Sequence, residues 1–188
     1  IIHINTYINC EGTLRFTNCV IKYNENEQVN NIKLTKNSNI AFINCIIIGG
    51  NSINSWFIEG NTNVVVMDDC TLQGCHKFIN LSGCNLFYMD NCFLHECNQA
   101  FDIYCKDADE YRCIIDNCII FRECISPVNL FSLRNASIAN NTIIAKNSDE
   151  NEIYFYDYSH LSEVDSCTFI SANGCIKNVN TVTNSKFK

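Results

Sequence analysis

The chain has no run of lysine or arginine, and its 20 acidic against 13 basic residues leave a formal charge of -7. That argues against a nucleic-acid backbone as the main partner, because phosphate is held by clustered cations. No stretch of about 18 apolar residues occurs, so no membrane span is expected. The opening residues IIHINTYINC carry neither an initiating methionine nor the charged-then-apolar pattern of a secretory signal. The closing NSKFK offers no capping element, so both ends read as those of a processed product or a module of a larger chain or assembly. What the chain does have is 47% hydrophobic residues, enough for a single domain over residues 1–188 with a sizeable interior, and 14 cysteines.

The cysteines belong to a repeat. VVVMDDCTLQGC, residues 64–75, returns as LFYMDNCFLHEC at residues 86–97. Aligned on one anchor position, the chain gives Cys19, Cys45, Cys70, Cys92, Cys118, Asn141, Cys167 and Ser185, at intervals of 26, 25, 22, 26, 23, 26 and 18 residues. A period in the low-to-mid twenties is the mark of a solenoid. Within each unit apolar residues alternate, which means strand. Phe16, Phe42, Met67, Met89, Ile115, Ile138 and Val164 stand three before the anchor, and Ile21, Ile47, Leu72, Leu94, Ile120, Ile143 and Phe169 two after it. Just before the anchor comes Asn18, Asn44, Asp69, Asn91, Asn117, Asn140, Ser166 or Asn184, mostly the residue type that tolerates the left-handed backbone of a sharp corner. A third strand follows a loop of variable length, with Trp56 and Ile58, Ile79 and Leu81, Phe101 and Ile103, and Val128 and Leu130 as its inward pairs. The pattern predicts an all-β, single-stranded right-handed parallel β-helix of seven or eight coils. A leucine-rich-repeat-like solenoid is the alternative. It wants an apolar residue eight before the anchor, where this chain has Glu11, Asn37, Thr62, Cys84 and Glu110.

Units such as LFYMDNCFLHECNQAFDIYC resemble the right-handed β-helix repeats of the pectin-lyase-like superfamily. The resemblance implies a polysaccharide lyase or hydrolase, a tailspike or adhesin, or a structural rod, and a setting at a cell surface, outside the cell or on a virion. Fold alone does not choose among these.

The anchor cysteines are expected to form one inward column, with Cys75, Cys97, Cys124 and Cys175 as a second, because free cysteine behaves as a small apolar residue. Buried thiols of this kind favour assembly in a reducing compartment. Disulfides rank lower, since in-register strands rarely present the required dihedral. Zinc ranks lower still: Cys92, His95 and Cys97 cannot converge if Cys92 points inward. No metal and no cofactor is expected.

Function on such a rod belongs to an outward face. The third strand is expected to present Phe57, Asn80, Asp102, Asn129 and Tyr154 in one outward column, with Glu59, Ser82, Tyr104, Phe131 and Tyr156 in the next. Aromatics beside amides suit glycan contact, although another chain could equally cover them. Catalysis would need a pair of carboxylates. Asp102 with Asp107, Asp109 or Glu110 is the available set, but Asn80 and Asn129 flank Asp102 and cannot act as acid or base. Asp68, Asp90, Asp116 and Asp165 make a further file two before the anchor, reading as corner carboxylates that accept local backbone N–H groups rather than as a Ca²⁺ site. His76 and His160 read as surface histidines, and the Asn80, Asn135 and Asn140 sequons as chance in an asparagine-rich chain. The reading favoured is a non-catalytic module presenting a glycan- or protein-binding face, with neighbouring chains or a homo-oligomer as partners. A polysaccharide-acting enzyme is the alternative.

Overall fold

In a computed structural model the chain forms a right-handed parallel β-helix of about eight coils. The structure describes residues 1–4, 6–23, 32–49, 56–61, 63–75, 77–97, 99–105, 112–122, 131–145, 153–155, 161–171 and 176–188. Among these, strands stack into three sheets of eight, nine and eight members in which neighbours in space lie a full coil apart in sequence. Strands leading into the corner, such as Val64–Asp68, Leu86–Asp90 and Cys113–Asp116, make the first sheet; strands leaving it, such as Thr71–Gln73, Phe93–His95 and Ile119–Arg122, make the second. The third holds Ile8–Cys10, Ile32–Leu34, Ile58–Asn61, Lys77–Cys84, Gln99–Cys105, Phe131–Arg134, Ile153–Phe155 and Ile176–Lys177. Three all-parallel sheets set aside the leucine-rich-repeat alternative.

Each coil turns where the repeat places its corner. All eight residues preceding the anchors have left-handed backbone, with φ from 48° at Asn184 to 57° at Asn18. Asparagine accepts this conformation more readily than most L-residues, and its side chain adds a bond along the corner. Asn117 Nδ2 donates to Asp90 Oδ1 at 3.0 Å, Asn140 Nδ2 to Asp116 Oδ1 at 2.9 Å, and Asn44 Nδ2 to Asn18 Oδ1 at 2.7 Å. The aspartate file is therefore in register and hydrogen-bonded, as residue partners Asp68, Asp90 and Asp116 on successive strands.

The anchor column points inward and is buried from Cys45 to Cys167, whereas Cys19 in the first coil is half-buried. Its chemistry goes beyond small apolar filling. Cys70 N–H donates to Cys92 Sγ at 3.4 Å, and Cys92 N–H to Cys118 Sγ at 3.4 Å. The thiols in turn donate to the carbonyl two residues back: Cys92 to Asp90 O at 3.1 Å and Cys118 to Asp116 O at 2.9 Å. The two exceptions make the same pair of bonds. Asn141 accepts from Cys118 N–H at 2.8 Å and donates to Ala139 O at 2.7 Å. Ser185 accepts from Cys167 N–H at 3.1 Å and donates to Thr183 O at 2.9 Å. The anchor thus needs a small side chain that both accepts and donates, which Cys, Asn and Ser share and alanine does not. This explains why an interval of only 18 residues still ends on an anchor at Ser185.

These contacts disfavour ionisation of several of the thiols. The hydrogen bond with Cys92, then burial, pushes the Cys70 thiol well above its ordinary range, and the Cys118 bond does the same to Cys92. In the second column Cys97 is raised chiefly by its bond with Cys75. No disulfide joins any two of the 12 cysteines within the described residues; Cys124 and Cys175 lie outside them. The rest of the core is aliphatic, threaded by a file of rings: Tyr23 to Phe57 at 4.0 Å, Phe57 to Phe78 at 5.6 Å, and Phe101 to Phe131 at 5.1 Å between centroids. Asn135 is fully buried, so its sequon is closed to modification in the folded chain.

Candidate binding face on the third sheet

Alternation along the third sheet puts one residue of each strand inside and the next outside. Register aligns Lys33, Glu59, Asn80, Asp102, Ser132, Tyr154 and Lys177 along its outer side. A second file runs Asn61, Ser82, Tyr104 and Arg134. Where the first strands of this face meet, Lys33, Glu59, Asn61, Asn80 and Ser82 line an open groove of about 320 Å³ floored by Leu34 and Gly60. Gly60 occupies an inward register position, but a Cβ there would collide with Asn63 Oδ1 and press on Leu34, so only glycine fits. Asn63 is held against it by donating to Thr35 O at 2.7 Å and Ser38 O at 2.6 Å. Ser82 Oγ closes the groove from the next coil by donating to Gly60 O at 3.4 Å.

Further along the rod the face becomes aromatic and cationic. The Arg134 guanidinium lies 4.3 Å from the Tyr104 ring centroid, a distance at which the ring quadrupole attracts the cation. Tyr104 keeps 39% of its surface exposed. Lys177 Nζ sits 5.7 Å from the Tyr154 ring. This face can therefore offer amides, hydroxyls, two carboxylates, cations and partly exposed rings to a ligand lying along the rod.

Of the residues expected on this face, Asn80, Asp102, Tyr104 and Tyr154 are on it, and Asp102 stands between Asn80 and Ser132 rather than Asn129. Phe57 and Phe131 are not: both are fully buried. The third-sheet strand begins at Ile58, and Phe57, at the bend before it, turns inward onto Tyr23. Phe131 pairs with Phe101, three residues later than the sequence alignment assumed. An odd shift exchanges the two faces of a strand. The shift at the earlier coil is even, so Glu59 stays outward but lies beside Asn80 instead of Ser82. Lys33, Asn61 and Arg134 join the face without having been anticipated, and Ser132 takes an outward register position but is buried; the alternating IKL of Ile32–Leu34 was the available signal for Lys33. Asn129, Tyr156, Asp107, Asp109, Glu110, His76 and His160 lie outside the described residues.

Elsewhere, His95 points out from the second sheet, 5.5 Å from the Phe121 ring, while Cys92 and Cys97 are buried. No group of three or more His, Cys, Asp or Glu side chains among the described residues could hold a metal ion, and no helix among them is long and apolar enough to cross a membrane.

No protein-family model matches the chain, and no curated protein matches it. Among solved structures, the full-length form of QnrB1, a plasmid-mediated fluoroquinolone resistance protein, superposes with a TM-score of 0.29 at 10% identity, over 98% of this chain and 93% of that one. A trypsin-treated variant of the same protein gives 0.24 at 10% identity, over 98% and 91%. Likeness of this degree carries no argument about this chain.

Proposed function

We propose that the chain is a non-catalytic β-helix module, one part of a larger chain or assembly, whose third-sheet face binds glycan by shallow contacts repeated along a stiff rod. The observation that carries this reading is the polar groove lined by Lys33, Glu59, Asn61, Asn80 and Ser82, continuing into the exposed Tyr104 ring. Amides and hydroxyls at strand spacing can bond successive sugar hydroxyls, and the ring can take an apolar sugar face. Resemblance of the repeat to the pectin-lyase-like superfamily agrees with a carbohydrate ligand and with a cell-surface, secreted or virion setting.

The enzyme alternative takes Asp102 with Asp107, Asp109 or Glu110 as its carboxylates. Within the described face the nearest acid in the same file is Glu59, two strands away, roughly 10 Å by strand spacing. That lies at the outer limit for a hydrolytic pair, and amides and hydroxyls flank Asp102 on both sides. Titration calorimetry against a panel of neutral and acidic oligosaccharides tests the proposal, together with assay of reducing-end release. Asn80→Ala and Tyr104→Ala should each weaken binding about tenfold, while Asp102→Asn should leave affinity within a few-fold. Turnover that Asp102→Asn abolishes would replace the proposal with the enzyme. Absence of binding across the panel would reject it in favour of a purely structural rod.

A further inference from the structure

The groove on the third sheet differs from the rest of that face in two respects. Its rim charges cancel: Lys33 and Glu59 are register partners of opposite sign, and the other rim groups, Asn61, Asn80 and Ser82, are neutral. A polyanionic chain gains little there, because contact with Lys33 brings the ligand beside Glu59. Among the described residues no aromatic ring lines the groove, so its floor of Leu34 and the Gly60 backbone offers no plane for the apolar face of a sugar ring. A small aliphatic floor between polar groups suits a methyl group instead.

The two rim amides define what bears that methyl. Asparagine side chains elsewhere in the rod are engaged by the fold itself. Asn117 and Asn140 bond along the corner, Asn63 donates to Thr35 O and Ser38 O, and Asn141 bridges coils. Among the described residues no such bond engages the side chain of Asn61, which is exposed, or of Asn80, which is half-buried. Register sets Asn61 beside Ser82 and Asn80 beside Glu59, so the two amides stand on adjacent strands two positions apart, about 8 Å between their backbones. One acetamido group can bridge that span, its carbonyl accepting from one amide and its N–H donating to the other through bonds of about 2.9 Å. A hydroxyl in the same place bonds an amide but leaves the aliphatic floor uncovered. The groove volume of about 320 Å³ lies at the small end for ligand sites and has room for one sugar unit with its substituent.

We infer that this groove is a subsite for an acetamido sugar, a single N-acetylhexosamine unit of a glycan that continues along the rod toward Tyr104. The inference rests on the glycan reading given above and adds the class of sugar. Burying the methyl is worth about fourfold in affinity, and the second amide bond about fivefold more. The acetamido group should therefore count for roughly tenfold or more.

The test is titration calorimetry with β-1,4-linked trimers of N-acetylglucosamine, glucosamine and glucose, which share a backbone and differ only in the group at C2. The same three compounds in the galacto configuration complete the set. In one of the two configurations the N-acetyl trimer should bind about tenfold more tightly than both of its counterparts. Asn61→Ala should bring that ratio to within about twofold while leaving the affinity for the hydroxyl trimer almost unchanged. Tyr104→Ala should weaken all the trimers alike and keep the ratio. Circular dichroism melts confirm that both variants fold, and the ratio on the unaltered protein decides if they do not. Equal affinity for N-acetyl and hydroxyl trimers, tighter binding of the free amine, or a ratio that survives Asn61→Ala overturns the inference while the glycan reading stands. Binding confined to acidic oligosaccharides does the same. Absence of binding to any glycan removes both.

Discussion

Replacing Cys92 by alanine and by serine separates two accounts of the cysteine column. If the column is apolar filling, alanine should be tolerated better than serine, since a buried hydroxyl costs free energy. The bonding pattern reverses that order. Cys92 Sγ is the acceptor for Cys70 N–H at 3.4 Å and donates to Asp90 O at 3.1 Å, in a site that is 2% exposed. Alanine leaves the Cys70 N–H buried without that acceptor, at a cost of about 1–3 kcal/mol. The lost sulfur leaves a small void worth about 0.5 kcal/mol more. Asp90 O loses less, because it also accepts from Asp69 N–H at 3.3 Å. The total of about 2–3 kcal/mol corresponds to a Tm lower by about 5–10 °C for a chain of this size. Serine keeps both functions, as Ser185 does in the last coil, and should cost about 1 kcal/mol or less. Thermal and urea unfolding followed by far-UV circular dichroism under reductant measures the pair. Alanine equal to or more stable than serine would refute the bonding account.

Stability should also depend on alkaline pH. Folding raises the thiols of Cys45, Cys70, Cys84, Cys92, Cys97, Cys105 and Cys167 above their unfolded values. Their contribution is complete below the unfolded thiol pKa of about 8.5 and is lost as pH rises above it, by up to about 1.4 kcal/mol per pH unit for each thiol. The urea midpoint should therefore stay level with respect to these groups from pH 7 to 8 and fall steeply by pH 10, whereas a flat profile would mean accessible thiols. At the corner, where φ is 50°, Asn117→Ala should cost about 1–2 kcal/mol for the left-handed backbone plus the bond to Asp90, and Asn117→Gly distinctly less, as read from Tm shifts. Gly49→Ala places a Cβ 2.6 Å from the Cys75 backbone of the next coil and should cost about 1–3 kcal/mol, checked by the same melts.

Much of this molecule was legible in the sequence because its signals are local and repeated. The corner positions from Asn18 to Asn184 could be read off because one backbone conformation recurs each coil and few residue types accept it. The inward files through Phe42 and Met67, and through Ile47 and Leu72, could be read because strands anchored on a corner keep a fixed register to it. Across the variable loops that support ends. A strand registered one or three residues off reverses its faces, and Phe131 shows the consequence: expected outside, it packs on Phe101 in the core. Phe57 illustrates a second limit, since alternation holds within a strand and fails at the bend before it.

The sequence by itself determined the coil, the corner and the inward column, for each is a matter of backbone conformation and period. Only the stacking of one coil on the next decided the rest. It turned the thiols from apolar filler into a hydrogen-bond relay, because their partners are the N–H groups of the neighbouring coil. It brought Lys33, Glu59, Asn80 and Asp102, scattered over seventy positions, onto one face. It also gathered Asp68, Asp90 and Asp116 into one file along the corner, because parallel in-register strands bring equivalent positions of successive coils to about 5 Å.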